Sequence, residues 1–457
     1  MDLDWTKSLI FGMPDELERL KHAGYFDEFE SRSRYHLQRE DLPEYVKRRI
    51  ELQLSQIKTL KKAYIIDEED LISDITSYLP GFGEGDFEKI KGDTDWIFVD
   101  GKKKYVNFSI RALFLTSPLL RDWPGSTYAY PSSKEIEDIC SIIMRDGKAS
   151  ISSDVRLYSH VNSAGSAGEE LHVHLPFANS KGYGMKKVEA VEEGEKPYFS
   201  DKSHNQATVF FSRKCKGSEE EFSVRFRCVT ETDYMSYEKL EELNKTGKTS
   251  EVYENRDLEE KTPCVVFTPF IRDLSSKIVG GETDKLKIAK KIYDYITTQY
   301  EYAYACDYVA LDSLGEYFAL RGRGDCGLQT CLYITLCRYN GIPARWQSGI
   351  VLNGASGVHD WCEIYIENVG FRPVDCAYGG ERRFFGSEEL REFYFGNMDP
   401  YRVVFNTDIL CEFDPPKKHY RYDPYDNQYG EAETKHAQVP EECVQMGREI
   451  LNLRLIK

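Results

Sequence analysis

The stretch RGRGDCGLQTCLYITLCRYNGIPAR, residues 321–345, decides how this chain is read. It carries three cysteines, one at the mouth of an apparent amphipathic helix and two inside it. Structural zinc takes thiolates in close pairs. Here four residues separate Cys326 from Cys331 and five separate Cys331 from Cys337, and no Cys-x-x-Cys occurs in the chain. A redox pair fails on geometry. In a helix Cys326 and Cys337 stand roughly 16 Å apart along the axis, and Cys331 sits well round from Cys326, whereas a disulfide needs Cα atoms under about 7 Å apart. Cys331 and Cys337, set among Leu332, Ile334 and Leu336, read as small core hydrophobes.

Cys326 differs. It follows Gly324-Asp325 and precedes Gly327, so it falls where unpaired backbone N–H groups and the positive end of the helix favour a thiolate. The flanking glycines would let a substrate backbone come close. A nucleophile placed this way needs a base and a group to orient that base. GVHDWCEIYI (357–366) alternates as a strand and carries His359, with Trp361 able to wall off one side of the imidazole. GFRPVDCAY (370–378) is a further short strand carrying Asp375.

This ordered set resembles the transglutaminase-like superfamily over roughly residues 260–410. GDCGLQTCLYITLCRYNGIPAR is similar to the family's Gly-x-Cys, apolar helix and Gly-Ile-Pro-Ala-Arg. VHDWCEIYI is similar to its His-x-Trp-x-Glu strand, and GFRPVDCAYGG to its Gly-aromatic-x-x-x-Asp strand. The run from Thr268 to Tyr302 resembles the helix pair that leads into the core, and FGNMDPYRVVF (395–405) the ending seen in bacterial members. Two departures stand out: Asp360 where a small residue is common, and Cys376-Ala377 after Asp375 in place of Pro-Thr. The resemblance implies Cys326 as nucleophile, His359 as base and Asp375 as orienter, in a papain-like α+β core with the cysteine helix packed on an antiparallel sheet. It implies acyl transfer on a peptide or amide through a thioester, with hydrolysis favoured. The alternatives are cross-linking to an amine, or a peptide- or protein-binding module that keeps the fold without the chemistry. The backbone N–H of Cys326 is one expected oxyanion donor; Tyr308 is the side-chain candidate and Tyr302 a weaker one.

The rest of the chain divides by texture. In residues 1–135, DLPEYVKRRIELQLSQIKTLKKAYI (41–65) puts Val46, Ile50, Leu54, Ile57 and Leu60 on one stripe. DEEDLISDITSYL (67–79) reads as a second helix, and WIFVDGKKKYVNF (96–108) as a hairpin turning at Asp100-Gly101. Residues 136–255 hold short alternating runs, expected as an antiparallel β-sandwich-like module. Residues 256–457 are assigned to the catalytic domain, ending in an irregular Pro- and Tyr-rich tail and a short helix from about 440.

Composition narrows the partners. Of 457 residues, 41% are hydrophobic, ample for several cores. The net charge of −17 argues against nucleic acid and membrane surfaces. No apolar leader or 18-residue apolar run is present, so a cytoplasmic protein with reduced thiols is expected. His172 and His174 share a strand face but no third ligand follows them, and IVGGETDK lacks phosphate-loop spacing. No metal or cofactor is expected, and the oligomeric state is left open.

Overall fold

The structure, a computed structural model, describes all residues except 1–4, 108, 130–133, 165, 192–193, 304, 306–307, 309–310, 354–356, 385–386 and 457. The front region follows its pattern closely. The apolar stripe lies on a helix from Glu44 to Ala63, where Ile50, Ile57 and Leu60 are buried and Val46 and Leu54 pack beside them. A second helix runs Glu68–Tyr78. The hairpin joins Trp96–Val99 to Lys102–Val106 through Asp100 and Gly101, whose φ values of 49° and 81° are those a two-residue turn between twisted strands requires. The short strand Tyr64–Ile66 pairs with the hairpin and completes a three-stranded sheet.

Two four-stranded antiparallel sheets follow. One has the order Val444–Ile456, Lys148–Asn162, Glu219–Asp233, Met185–Val191; the other has the order Glu431–Thr434, Glu170–Pro176, Thr208–Lys214, Tyr198–Phe199. Every second residue of Lys148–Asn162 from Ala149 to Val161 is buried, as a half-buried strand demands. Phe211 of one sheet meets Phe222 of the other with ring centroids 5.6 Å apart, so the expected sandwich-like packing is present.

The tail departs from expectation. The short helix expected from about 440 is instead a 13-residue strand, Val444–Ile456, paired along Lys148–Asn162 with a bulge between Ile450 and Asn452. Leu451, Leu453 and Leu455 fall at spacing two, and the long edge of Lys148–Asn162 offers backbone groups that need partners. With Glu431–Thr434 paired to Glu170–Pro176, residues assigned with 256–457 thus complete both sheets of the 136–255 module.

The third region is an α+β core. Its antiparallel sheet has the order Gly370–Val374, Val358–Ile366, Ala344–Val351, Arg402–Asn406. Helices Pro269–Val279 and Lys285–Gln299 lead in, each capped by a side chain, Thr268 and Asp284. The cysteine helix, Cys326–Tyr339, is buried at every position from 326 to 338, so it is a wholly interior helix and not the amphipathic one its first reading suggested. Even Arg338 is buried, its guanidinium donating to the carbonyls of Ala344 and Glu259. A single hydrophobic cluster runs through this core and the β module. Among the described residues no helix is long and apolar enough to cross a membrane.

Candidate active site

Cys326 is the first residue of its helix, and Asp325 caps it by accepting from the N–H of Leu328 at 3.1 Å. The same carboxyl accepts from the Tyr308 hydroxyl at 2.5 Å. The proton of Tyr308, the expected oxyanion donor, is therefore directed at Asp325 and is not offered to open space. Tyr308 also explains Gly327. A Cβ there would collide with the Tyr308 hydroxyl and lie 2.9 Å from Asp360 Oδ2. At Gly324 a Cβ would sit 2.8 Å from the Phe318 ring and 2.9 Å from Leu328. Both glycines make room for side chains of the protein itself, not for a substrate backbone.

The thiol of Cys326 donates to Asp360 Oδ2 at 3.3 Å. Gln428 Nε2 holds the other oxygen of that carboxyl at 2.8 Å and reaches the His359 carbonyl at 3.0 Å. Burial, then the neighbouring Asp360 and Asp325, push the Cys326 thiol well above its ordinary range. The helix N-terminus was expected to do the opposite. Its partial charge is outweighed here by desolvation and two carboxyls. Burial also drives the Asp360 carboxyl well up, reinforced by Asp426 and Asp325.

His359 and Asp375 are joined: Nε2 lies 2.8 Å from Asp375 Oδ2. Burial would raise the Asp375 carboxyl, but the charges of His359 and Arg402 hold it well below the usual range. Arg402 Nη1 donates to the same oxygen at 2.6 Å, while its Nε donates to Asp399 at 3.0 Å. The Tyr378 N–H supplies a third bond to Asp375 at 2.9 Å. The His359 ring lies 21° from parallel to Trp361, with centroids 6.0 Å apart, and meets Tyr378 edge-on. With Nε2 taken by Asp375, Nδ1 is the nitrogen left for a thiol.

Successive residues of a strand face opposite sides. Val358–Ile366 accordingly sends Asp360 toward the start of the cysteine helix and His359 toward Asp375, Trp361 and Arg402. Among the described residues no hydrogen bond joins Cys326 to His359. The structure brings two of the three expected residues together and gives the third a different partner. Arg402, Asp399 and Gln428 were missed from sequence, and Asp360 was noted only as a departure. The one available signal was a charged residue, Arg402, in the otherwise apolar run YRVVF.

Cys326 and Asp360 open onto a cavity of about 410 Å³. Its walls come from all three regions: Thr59 from the front helix, Trp346 from the core sheet, Val444 and Met446 from the last strand, and the loop around Asp426. Tyr302 lines it as well. The other histidines lie elsewhere. His174 is fully buried, bonded through Nε2 to the Pro415 carbonyl at 2.9 Å and stacked on Phe413, as a core histidine would be. Among the described residues no group of three His, Cys, Asp or Glu could hold a metal ion.

A model described as the transglutaminase-like superfamily matches residues 272–376. No curated protein matches the chain. Among solved structures, the chain is similar to a "putative cysteine protease" from Cytophaga hutchinsonii at 11% identity and TM-score 0.38, covering 68% of this chain and 90% of that one. It is similar to the periplasmic domain of TgpA from Pseudomonas aeruginosa at 12% identity and TM-score 0.26, covering 57% and 96%. Residues 272–376, which run from the first helix of the core through Asp375, are a domain of the transglutaminase-like superfamily.

Proposed function

We propose that this protein is a cysteine-dependent acyl-transfer enzyme that hydrolyses a peptide or amide, with Cys326 as nucleophile, His359 as base and Asp375 as its orienter. What carries the reading is the buried array in which Asp375, itself held by Arg402, bonds His359 Nε2, leaving Nδ1 for a proton from sulfur. An aspartate with charged partners on both sides is set to fix one imidazole tautomer and to stabilise the imidazolium.

In this mechanism the thiol turns from Asp360 toward the imidazole and gives its proton to Nδ1. Sulfur attacks the carbonyl carbon, and the backbone N–H of Cys326 donates to the oxyanion. The C–N bond breaks as the imidazolium protonates the leaving amine, and a thioester remains. Water then gives a proton to His359 and attacks the thioester; the acid leaves and the thiol is restored. The reading includes a cytoplasmic location, supported by free thiols at every described cysteine.

The test is amine release from a library of N-acetyl peptide amides by wild type, Cys326→Ala and His359→Ala. Release by wild type that vanishes in Cys326→Ala and falls at least about a hundredfold in His359→Ala is expected. Release that persists in Cys326→Ala overturns the proposal.

A further inference from the structure

We infer that the acyl substrate of this site carries a cationic group, an ammonium or guanidinium, bound in the same cavity as the carbonyl that Cys326 attacks. The inference deepens the function proposed above and rests on it for the identity of the nucleophile.

Five carboxyl side chains line the cavity: Asp325, Asp360, Asp423, Asp426 and Glu441. Among the described residues, no lysine, arginine or histidine does. Several buried carboxylates elsewhere in the protein are paired with cations. Asp375 pairs with Arg402, Glu431 with Lys417 and Arg421, and Asp257 with Arg345. Among the described residues, none of the buried Asp360 and Asp426 and the half-buried Asp325 forms such a pair, nor does the exposed Glu441. The charge of the nearby Arg421 acts to lower Asp426 but does not overcome its burial. Its guanidinium bonds Glu431 and the backbone carbonyls of Asp423 and Asp426. Buried carboxyls crowded together repel one another and hold protons, and burial raises Asp426 to about 6 despite the charge of Arg421. A cation is the ligand that relieves this.

A second, independent observation points to a carbonyl. Trp346 is 1% exposed and lines the same cavity, yet its indole N–H has no hydrogen-bond partner among the described residues. An unpaired buried donor is costly and calls for an acceptor oxygen on the ligand. An anionic ligand would meet the carboxyls. A neutral amide would satisfy Trp346 alone. A cationic amide satisfies both, and tyrosine rings at 422, 425 and 429 add faces on which an ammonium can rest.

The test uses the full chain and three methanethiosulfonate reagents: trimethylammonium-ethyl, sulfonato-ethyl and methyl. Modification of Cys326 is followed by peptide mass spectrometry, and each rate is divided by that for glutathione. The cationic reagent is expected to exceed the anionic one by at least about tenfold, with the ratio shrinking in Asp426→Asn and in Glu441→Gln at the exposed side of the cavity. Equal normalised rates, or no labelling by any reagent, overturn the inference. In parallel, peptide amides with lysine beside the scissile amide are expected to turn over at least about tenfold faster than norleucine counterparts. A charge preference seen only for an added amine nucleophile overturns the assignment to the acyl donor. If labelling shows the charge preference but no peptide amide turns over, the hydrolase reading fails and the cation selectivity stands.

Discussion

The sulfur of Cys326 sits 3.3 Å from Asp360 Oδ2, while His359, the preceding residue of the same strand, is paired with Asp375. The nucleophile of the proposed reaction thus rests on a carboxyl that raises its pKa. Replacing Asp360 by Asn removes that charge and leaves the burial. The pH profile of iodoacetamide alkylation at Cys326 is expected to shift to lower pH in Asp360→Asn. An unchanged or higher midpoint would show that Asp360 does not govern the thiol.

Arg402 stands between two fully buried carboxylates, Asp375 and Asp399, and is itself 3% exposed. Arg402→Met takes this cation from both, leaving Asp375 only His359. Breaking a buried pair this way costs about 3–5 kcal/mol, to be read as a lower urea midpoint at neutral pH. A loss under about 1 kcal/mol would mean the pair is not formed as described.

Gly327 has no room for a methyl group beside the Tyr308 hydroxyl. Gly327→Ala is expected to cost about 1–3 kcal/mol by overpacking. Adding Tyr308→Phe removes the clashing oxygen and should restore part of that loss. A double variant no more stable than Gly327→Ala would place the clash elsewhere.

Glu363 faces Arg345 across the sheet, but burial dominates and lifts its carboxyl to about 7. A folded pKa above the unfolded one means the folded state binds more protons between about pH 4.5 and 7. Stability contributed by this group therefore falls as pH rises through that window, by at most about 3 kcal/mol. Glu363→Gln should melt higher than wild type at pH 8, with the gap closing by pH 5. An equal gap at both pH values would contradict the assignment.

Much of this architecture is written in local pattern. The 41–65 stripe, the Asp100-Gly101 turn and the alternation of the β module are properties of neighbouring residues, so periodicity and turn chemistry reveal them. The last strand was missed because its partner lies nearly 300 residues away at Lys148–Asn162, and pairing, not propensity, decides such segments. The same limit applies at the site. Cys326, His359 and Asp375 stand in motifs, whereas Arg402 and Gln428 reach it from other parts of the chain. The thiol's environment was misjudged because the helix N-terminus is visible in sequence and the carboxyls gathered around it are not.

The most direct measurement is rapid acid quench of the protein with a peptide amide, followed by peptide mass spectrometry of the segment containing Cys326. The account predicts an acyl adduct on Cys326, labile to hydroxylamine as a thioester is, and absent in Cys326→Ala. Amide turnover with the acyl group on another residue, or turnover that survives Cys326→Ala, would contradict it.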